Sequence, residues 1–173
     1  MATTNDGTGI KTGITDDLVL GSMKNRELIR DTYVGYVAKG AKIERGMLCF
    51  YNNGWKPTTN NERKVGTVRV AEGSVDNTDG ELGDKVISTW GGGTIVVVKV
   101  GNTSRTNTIR SLKAGEGFTC GAEGKITSLL FRDDTADIPL GVVLGKVTEV
   151  DEHDVEAYGK NLVDGDLALV RLF

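Results

Sequence analysis

Met47-Leu48-Cys49-Phe50-Tyr51, Asn52-Asn53-Gly54, Trp55-Lys56-Pro57 is the stretch that decides the fold. A β-prone apolar run leads into Asn-Gly, and a second β-prone run follows. Asn53-Gly54 supplies the two positive-φ residues of a type I′ hairpin turn, whose twist matches that of the flanking strands. The same grammar continues outward. Tyr33-Val34-Gly35-Tyr36-Val37-Ala38 reads as a short strand on the N-terminal side. On the C-terminal side, residues 64–71 read as a strand with Val68 and Val70 on one face. Lys85 to Thr89 and Thr94 to Val100 flank Trp90-Gly91-Gly92-Gly93 as another hairpin. Ile95-Val96-Val97-Val98 is apolar on both faces, which predicts a covered strand. Further strands are predicted over 106–112, 117–120, 125–131, 140–150 and 167–173. In the last of these Leu167, Leu169 and Phe173 alternate with Ala168, Val170 and Leu172, so both faces should be covered. Composition agrees: 24 Gly in 173 residues is roughly twice the ordinary share of about 7 %, and only 2 Pro accompany them. The fold class is all-β, a compact barrel or sandwich of about ten short strands.

Residues 1–24 read differently. Thr, Gly, Asp and Asn dominate there, and Ile10, Ile14, Leu18, Val19 and Leu20 are the apolar groups able to dock onto another chain. So little apolar surface does not offset the entropy of ordering the backbone. We read an arm, loose in the free protein, in front of a β domain of residues 25–173. Residues 23–30 have the pattern of a short helix, and 151–160 is the only other place for a helical turn. An internal echo is also present. Ile43 to Cys49, Gly54 to Thr58 and Val65-Gly66-Thr67-Val68 find counterparts in Leu112 to Cys120, Gly124 to Thr127 and Leu140-Gly141-Val142-Val143. Gly83-Asp84-Lys85-Val86 is likewise echoed by Gly165-Asp166-Leu167-Ala168. Two readings stay open: duplication of a unit, or the shared habit of β-turns to use Gly and Asp.

Chemistry-bearing patterns are few. A formal charge of −3 is no electrostatic footprint for nucleic acid or an anionic membrane. No run of 18 apolar residues exists to span a bilayer. The start lacks the basic and apolar stretches of a signal peptide, so synthesis in a cytosol is expected. Cys49 and Cys120 read as buried thiols, and the single His153 lies in an acidic, solvated stretch without a sequence partner. Gly7 to Thr12 fails the phosphate-loop pattern, because Ile10 stands where a glycine must precede Lys11. Gly115, Gly117 and Gly121 miss the dinucleotide spacing by one residue. Asp76 to Glu81 reads as a turn and Asp133 to Asp137 as a solvated charge cluster, neither having calcium-loop spacing. No cofactor and no metal are expected, and no catalytic set. Trp55 and Trp90 sit at hairpins; exposed they would stack on a sugar or a partner, folded inward they would close the barrel end, and inward is the expectation.

From Tyr33 to Phe173 the chain resembles the capsid decoration (cement) proteins of tailed phages and related viruses. The residues that carry the resemblance are Gly40 to Leu48, Trp55-Lys56-Pro57-Thr58, Val65-Gly66-Thr67-Val68, Ile138-Pro139-Leu140-Gly141-Val142-Val143 and Gly165-Asp166-Leu167-Ala168-Leu169-Val170. The long arm and the polar inserts at 60–64 and 101–108 depart from it. The resemblance implies a non-enzymatic virion component on the capsid exterior. Its partners would be the major capsid protein and its own copies, often as a homotrimer, with no direct nucleic acid and no membrane. A polar arm spotted with apolar groups suits a chain that orders on contact with a partner. The competing expectations are a tail, fibre or receptor-binding β module using Trp55 or Trp90, and a small hydrolase with distal acidic residues.

Overall fold

The computed structural model describes residues 31–60, 62, 68–101, 104–105, 108–109, 112–129, 137–147, 155–156 and 161–173. Among these residues there is no α-helix. The first half supplies β1 (Thr32–Tyr36), β2 (Lys42–Ile43), β3 (Leu48–Tyr51), β4 (Trp55–Pro57), β5 (Val68–Ala71), β6 (Val75–Asp76) and β7 (Val86–Trp90). The second half supplies β8 (Ile95–Lys99), β9 (Ser104–Arg105), β10 (Thr108–Ile109), β11 (Gly117–Cys120), β12 (Ile126–Ser128), β13 (Gly141–Val147), β14 (Val155–Glu156) and β15 (Leu167–Leu172). The all-β expectation therefore holds.

The deciding hairpin forms with Asn53 at φ 56° and Gly54 at φ 106°. Tyr51 faces Trp55 across it, so the loop holds three residues and not the two of a simple type I′ turn. The added residue has a physical reason. Gly54 passes so close to the next segment that a Cβ on it would lie 2.6 Å from the Ala38 amide nitrogen. That approach lets the Ala38 N–H donate to the Trp55 carbonyl at 3.0 Å.

Strand order settles the meaning of the internal echo. One sheet runs β1-β7-β5-β3-β4, the other β8-β15-β13-β11-β12, and all the ladders are antiparallel. Taken in chain order, the five strands of each half occupy the same places. The closures match as well. In the first half Val37 forms a parallel bridge to Trp55, in the second Val100 to Ile126. Gly46 N–H donates to the Ala71 carbonyl as Gly115 N–H donates to that of Val143, both at 2.9 Å. The glycines sit at φ 82° and 87°, a left-handed conformation that side chains resist. Among the described residues the two halves repeat one five-stranded β unit.

The registers also correct the alignment suggested by the sequence. Cys49 pairs with Arg69, and Phe118 pairs with Gly141. Phe118 is therefore the counterpart of Cys49, and Cys120 that of Tyr51. Gly141 corresponds to Arg69, not to Gly66, which lies outside the described residues.

Matched positions carry compensating sizes. Trp55 (2 % exposed) fills the first unit because Gly35 gives it room, a Cβ there falling 2.6 Å from Trp55 Nε1. In the second unit these positions hold Ile126 and Val98, both fully buried. Conversely, Phe118 lies against Gly141, where a Cβ would come within 2.7 Å of its ring. The first unit has the smaller Cys49 beside Arg69. Close packing demands such reciprocity.

Three apolar clusters follow from strand alternation. Val37, Ile43, Cys49, Trp55, Ala71 and Ile87 form the interior of the first unit. The opposite face of its sheet turns Leu48, Val70 and Trp90 onto the interior of the second, where Val96, Val98, Phe118, Ile126, Val143 and Val170 lie. Val97, Val147 and Leu169 form a third cluster on the far face of the second sheet. Val68 packs beside Val70 as expected, and β8 is buried on both faces. Thr58 ties the units together: its Oγ1 donates to the Gly121 carbonyl at 3.2 Å, and its own carbonyl accepts from Gly124 N–H at 3.1 Å.

Three expectations are corrected. Val155–Glu156, within the stretch expected to offer a helical turn, pairs as a strand with Lys146–Val147. Phe173 is 69 % exposed, because the ladder between β13 and β15 ends at Leu172. Asp137 is buried, not solvated. The expected helix at 23–30, the arm and the 24/25 boundary lie outside the described residues, as does His153.

Candidate interaction surface

The titratable groups with shifted pKa values among the described residues are Cys49, Asp76, Glu123 and Lys125. Both cysteines are buried and free. Burial pushes the Cys49 thiol up to about 12, far from the thiolate that nucleophilic chemistry needs. Lys125 donates to Glu123 and lies near Asp164, which raises its pKa and lowers that of Glu123. Asp76 accepts from the Thr78 hydroxyl and N–H, closing the turn expected there, and its pKa falls accordingly. Among the described residues no three His, Cys, Asp or Glu side chains gather in a metal-holding cluster.

The surface around β1 is different in kind. Tyr33 and Tyr51 each meet the buried Trp55 ring edge-on, with centroids 6.0 and 5.4 Å away. Their matched positions in the second unit are Val96 and Cys120, both fully buried. The smaller side chains close that unit, whereas the tyrosines leave the mouth of the first half-exposed and aromatic. Arg69 spans one rim. Its guanidinium lies 5.9 Å from the Tyr33 ring centroid, and its two terminal nitrogens donate to the Asp31 carboxylate at 3.1 and 2.8 Å. Paired in this fork, Arg69 is held over the ring. On the other face of the strand Val34, Tyr36 and Val86 are exposed, Tyr36 standing directly opposite Val86. Together these five large side chains wrap both faces of β1.

Among solved structures the chain is similar to the head fiber gp8.5 N base in bacteriophage phi29. The match has 13 % sequence identity and a TM-score of 0.48, over 83 % of this chain and 95 % of that one. No protein family matches the sequence. No curated protein does either.

Both tryptophans fold inward, Trp55 at 2 % and Trp90 at 3 % exposure, as the sequence led us to expect. The arm residues Ile10, Ile14, Leu18, Val19 and Leu20 all lie outside the described residues. Sequence reasoning missed the tyrosine mouth. A tyrosine in a strand has no marked side until register is known, and only the comparison of matched positions shows that the first unit is the open one. It also missed Asn77. This buried side chain donates from Nδ2 to the carbonyls of Val37 and Ala38, both at 3.2 Å, and of Glu81 at 3.1 Å. It thereby fixes the end of β1 to the turn before β7. A second concavity, about 350 Å³, opens between the units beside Glu44, Met47, Lys99, Glu123 and Lys125. Its charges are mixed, and nothing in it marks a ligand.

Proposed function

We propose that this chain is a non-enzymatic structural virion protein that binds the outer surface of an assembled capsid and stabilises it. The observation that carries the reading is the exposed apolar surface on β1 and its neighbours: Tyr33, Val34, Tyr36, Tyr51 and Val86. Patches on the order of several hundred Å² on a compact protein mark interaction sites. The resemblance to decoration proteins supports the same reading, and the described segments that carry it are the strands and turns of the duplicated unit. Its partners are then the shell protein and copies of itself as a homotrimer. Ile10, Ile14, Leu18, Val19 and Leu20 add contacts from the arm, on a chain made in the host cytoplasm.

The test is cosedimentation with expanded empty capsids. Replacing Val34 and Tyr36 together by Glu places charge on the exposed face and leaves the two interiors untouched. We expect at least tenfold weaker binding with unchanged thermal unfolding. Binding as tight as that of the unaltered protein rejects the surface. A receptor-binding or fibre module is the second reading, favoured by the half-exposed tyrosines of the mouth; it needs those rings and not the buried tryptophans to stack on a sugar. Glycan-array signal lost on Tyr33→Ala and Tyr51→Ala, without capsid binding, selects that reading.

A further inference from the structure

The chain contains one contact between its two units, and both sides of that contact recur uncovered. On the outer face of the first sheet Leu48, Val70 and Trp90 stand in a row straight across β3, β5 and β7. They are buried in one cluster with Val96, Phe118, Cys120 and Ile126 of the second unit. Val96 and Cys120 are the counterparts of Tyr33 and Tyr51, so the place this row covers in the second unit is the place left half-exposed in the first. The row itself recurs on the second sheet. Gly117, Val142 and Arg171 face one another across β11, β13 and β15 at the positions of Leu48, Val70 and Trp90. Gly117 has no side chain, but Leu129 reaches its place, with Cδ1 2.7 Å from where a Cβ on Gly117 would stand. The recurring row thus keeps a leucine and a valine and carries arginine where the first has tryptophan. Gly117 and Val142 are half-buried and Arg171 is exposed, whereas all three residues of the first row are buried.

We propose that the mouth of the first unit docks the second sheet of another copy of this chain, with Val142 and Arg171 in the places that Val70 and Trp90 take inside the molecule. The exchange of residue suits the exchange of surroundings. Trp90 meets an apolar interior, whereas Arg171 meets aromatic rings, on whose faces a guanidinium stacks. Arg69 already lies over the Tyr33 ring, which leaves Tyr51 as the ring that receives Arg171. The Asp31 carboxylate, itself half-exposed, stands at the same rim and offsets the charge of Arg69. Each copy then covers the mouth of the next, as successive units do in repeat proteins. The contact joins two different surfaces, so it repeats from copy to copy and either closes a ring or runs on as a stack. It supplies contact surfaces for the proposed homotrimer, a ring of three being one closure, but it rests on the repeated registers and not on capsid binding.

Sedimentation velocity of the full chain without capsids, from low to high micromolar concentration, tests it. The samples are the unaltered protein, Arg171→Glu, Tyr51→Ala, and an equal mixture of the two variants. The unaltered chain is expected to assemble beyond a dimer as concentration rises. Each variant alone should need at least tenfold higher concentration to associate, with thermal unfolding unchanged for Arg171→Glu, whose side chain is exposed. The mixture is expected to form one-to-one dimers and nothing larger, because the Tyr51→Ala copy keeps a working sheet face and the Arg171→Glu copy a working mouth. An unaltered chain that stays monomeric, or stops at a dimer, overturns the proposal. So does assembly that neither variant weakens. Variants that remain monomeric when mixed also overturn it, since the two surfaces then do not meet each other. If Tyr51→Ala fails to fold, Arg171→Glu mixed with unaltered protein supplies the comparison. It should shorten the assemblies, because it accepts a copy at its mouth but cannot dock on one, and unchanged assembly size overturns the proposal. Capsid binding is not read in this assay, so its failure and that of the proposed function stay separate.

Discussion

Replacing Gly35 by Val and Trp55 by Ile installs in the first unit the pair that the second unit carries at the matched positions, Val98 and Ile126. Gly35→Val alone brings a Cβ to 2.6 Å from Trp55 Nε1, 2.9 Å from Tyr33 Cε1 and 3.0 Å from Trp55 Cδ1. Such overpacking costs about 1–3 kcal/mol. Trp55→Ile alone empties much of the volume of a 2 %-exposed indole and strips Tyr33 and Tyr51 of their shared partner. Large-to-small changes of this class cost about 3 kcal/mol, or roughly 6–12 °C in Tm for a chain of this length. In the double variant the valine occupies space that the indole vacated, so the clash with the indole vanishes, only the contact with Tyr33 Cε1 remains, and part of the void is filled. We expect the double variant to be more stable than the sum of the single losses by about 1–2 kcal/mol. Urea unfolding of the four proteins, followed by tryptophan-independent circular dichroism, completes the cycle. Strict additivity would refute the reasoning, because it would mean that residues 35 and 55 do not compete for one volume.

Gly54→Val should destabilise by about 2–4 kcal/mol. It forces a β-branched residue to φ 106° and drives a Cβ to 2.6 Å from the Ala38 nitrogen. A urea midpoint equal to that of the unaltered chain would sink this account. Cys49 gives a pH dependence of definite sign. Its folded-state pKa of about 12 stands above the ordinary 9.0, so the folded protein keeps a proton that the unfolded chain loses. The stability tied to that proton is complete below about pH 9 and declines as pH rises toward 12, by up to about 4 kcal/mol. Cys49→Ala removes this contribution, so its stability should fall less steeply over the same pH range; parallel slopes would count against the assignment.

How much of this was legible in the sequence differs by kind of feature. Alternation and turn chemistry are local, so β3 with β4 and the doubly covered β8 could be read directly. Gly117–Cys120 was placed to the residue for the same reason, since a positive-φ glycine stands just ahead of it at Gly115. The duplication was visible only as an ambiguity. Gly46 and Gly115 are true counterparts, but Cys49 and Cys120 are offset by two, because equivalence follows register and not residue type. Val155–Glu156 lies in a polar stretch whose pairing with Lys146–Val147 is a long-range contact without local signature. The mouth at Tyr33 and Tyr51 was hidden for a related reason: its openness is defined by contrast with Val96 and Cys120, which only the matched strand registers reveal.

The clusters of the two halves differ in what they need. Among the described residues, the interior around Trp55 is built from the first half, Val37 to Ile87. The interior around Phe118 also requires Leu48, Val70 and Trp90 from the first half. The dependence runs one way, and it runs in the direction of synthesis. A ribosome that has released residues 31–90 has released every described residue of this core, which can close while the rest is still being made. The second half then emerges beside a finished apolar face and condenses on it. A chain with the halves in the opposite order would leave its larger core unfinished until the last strands arrived.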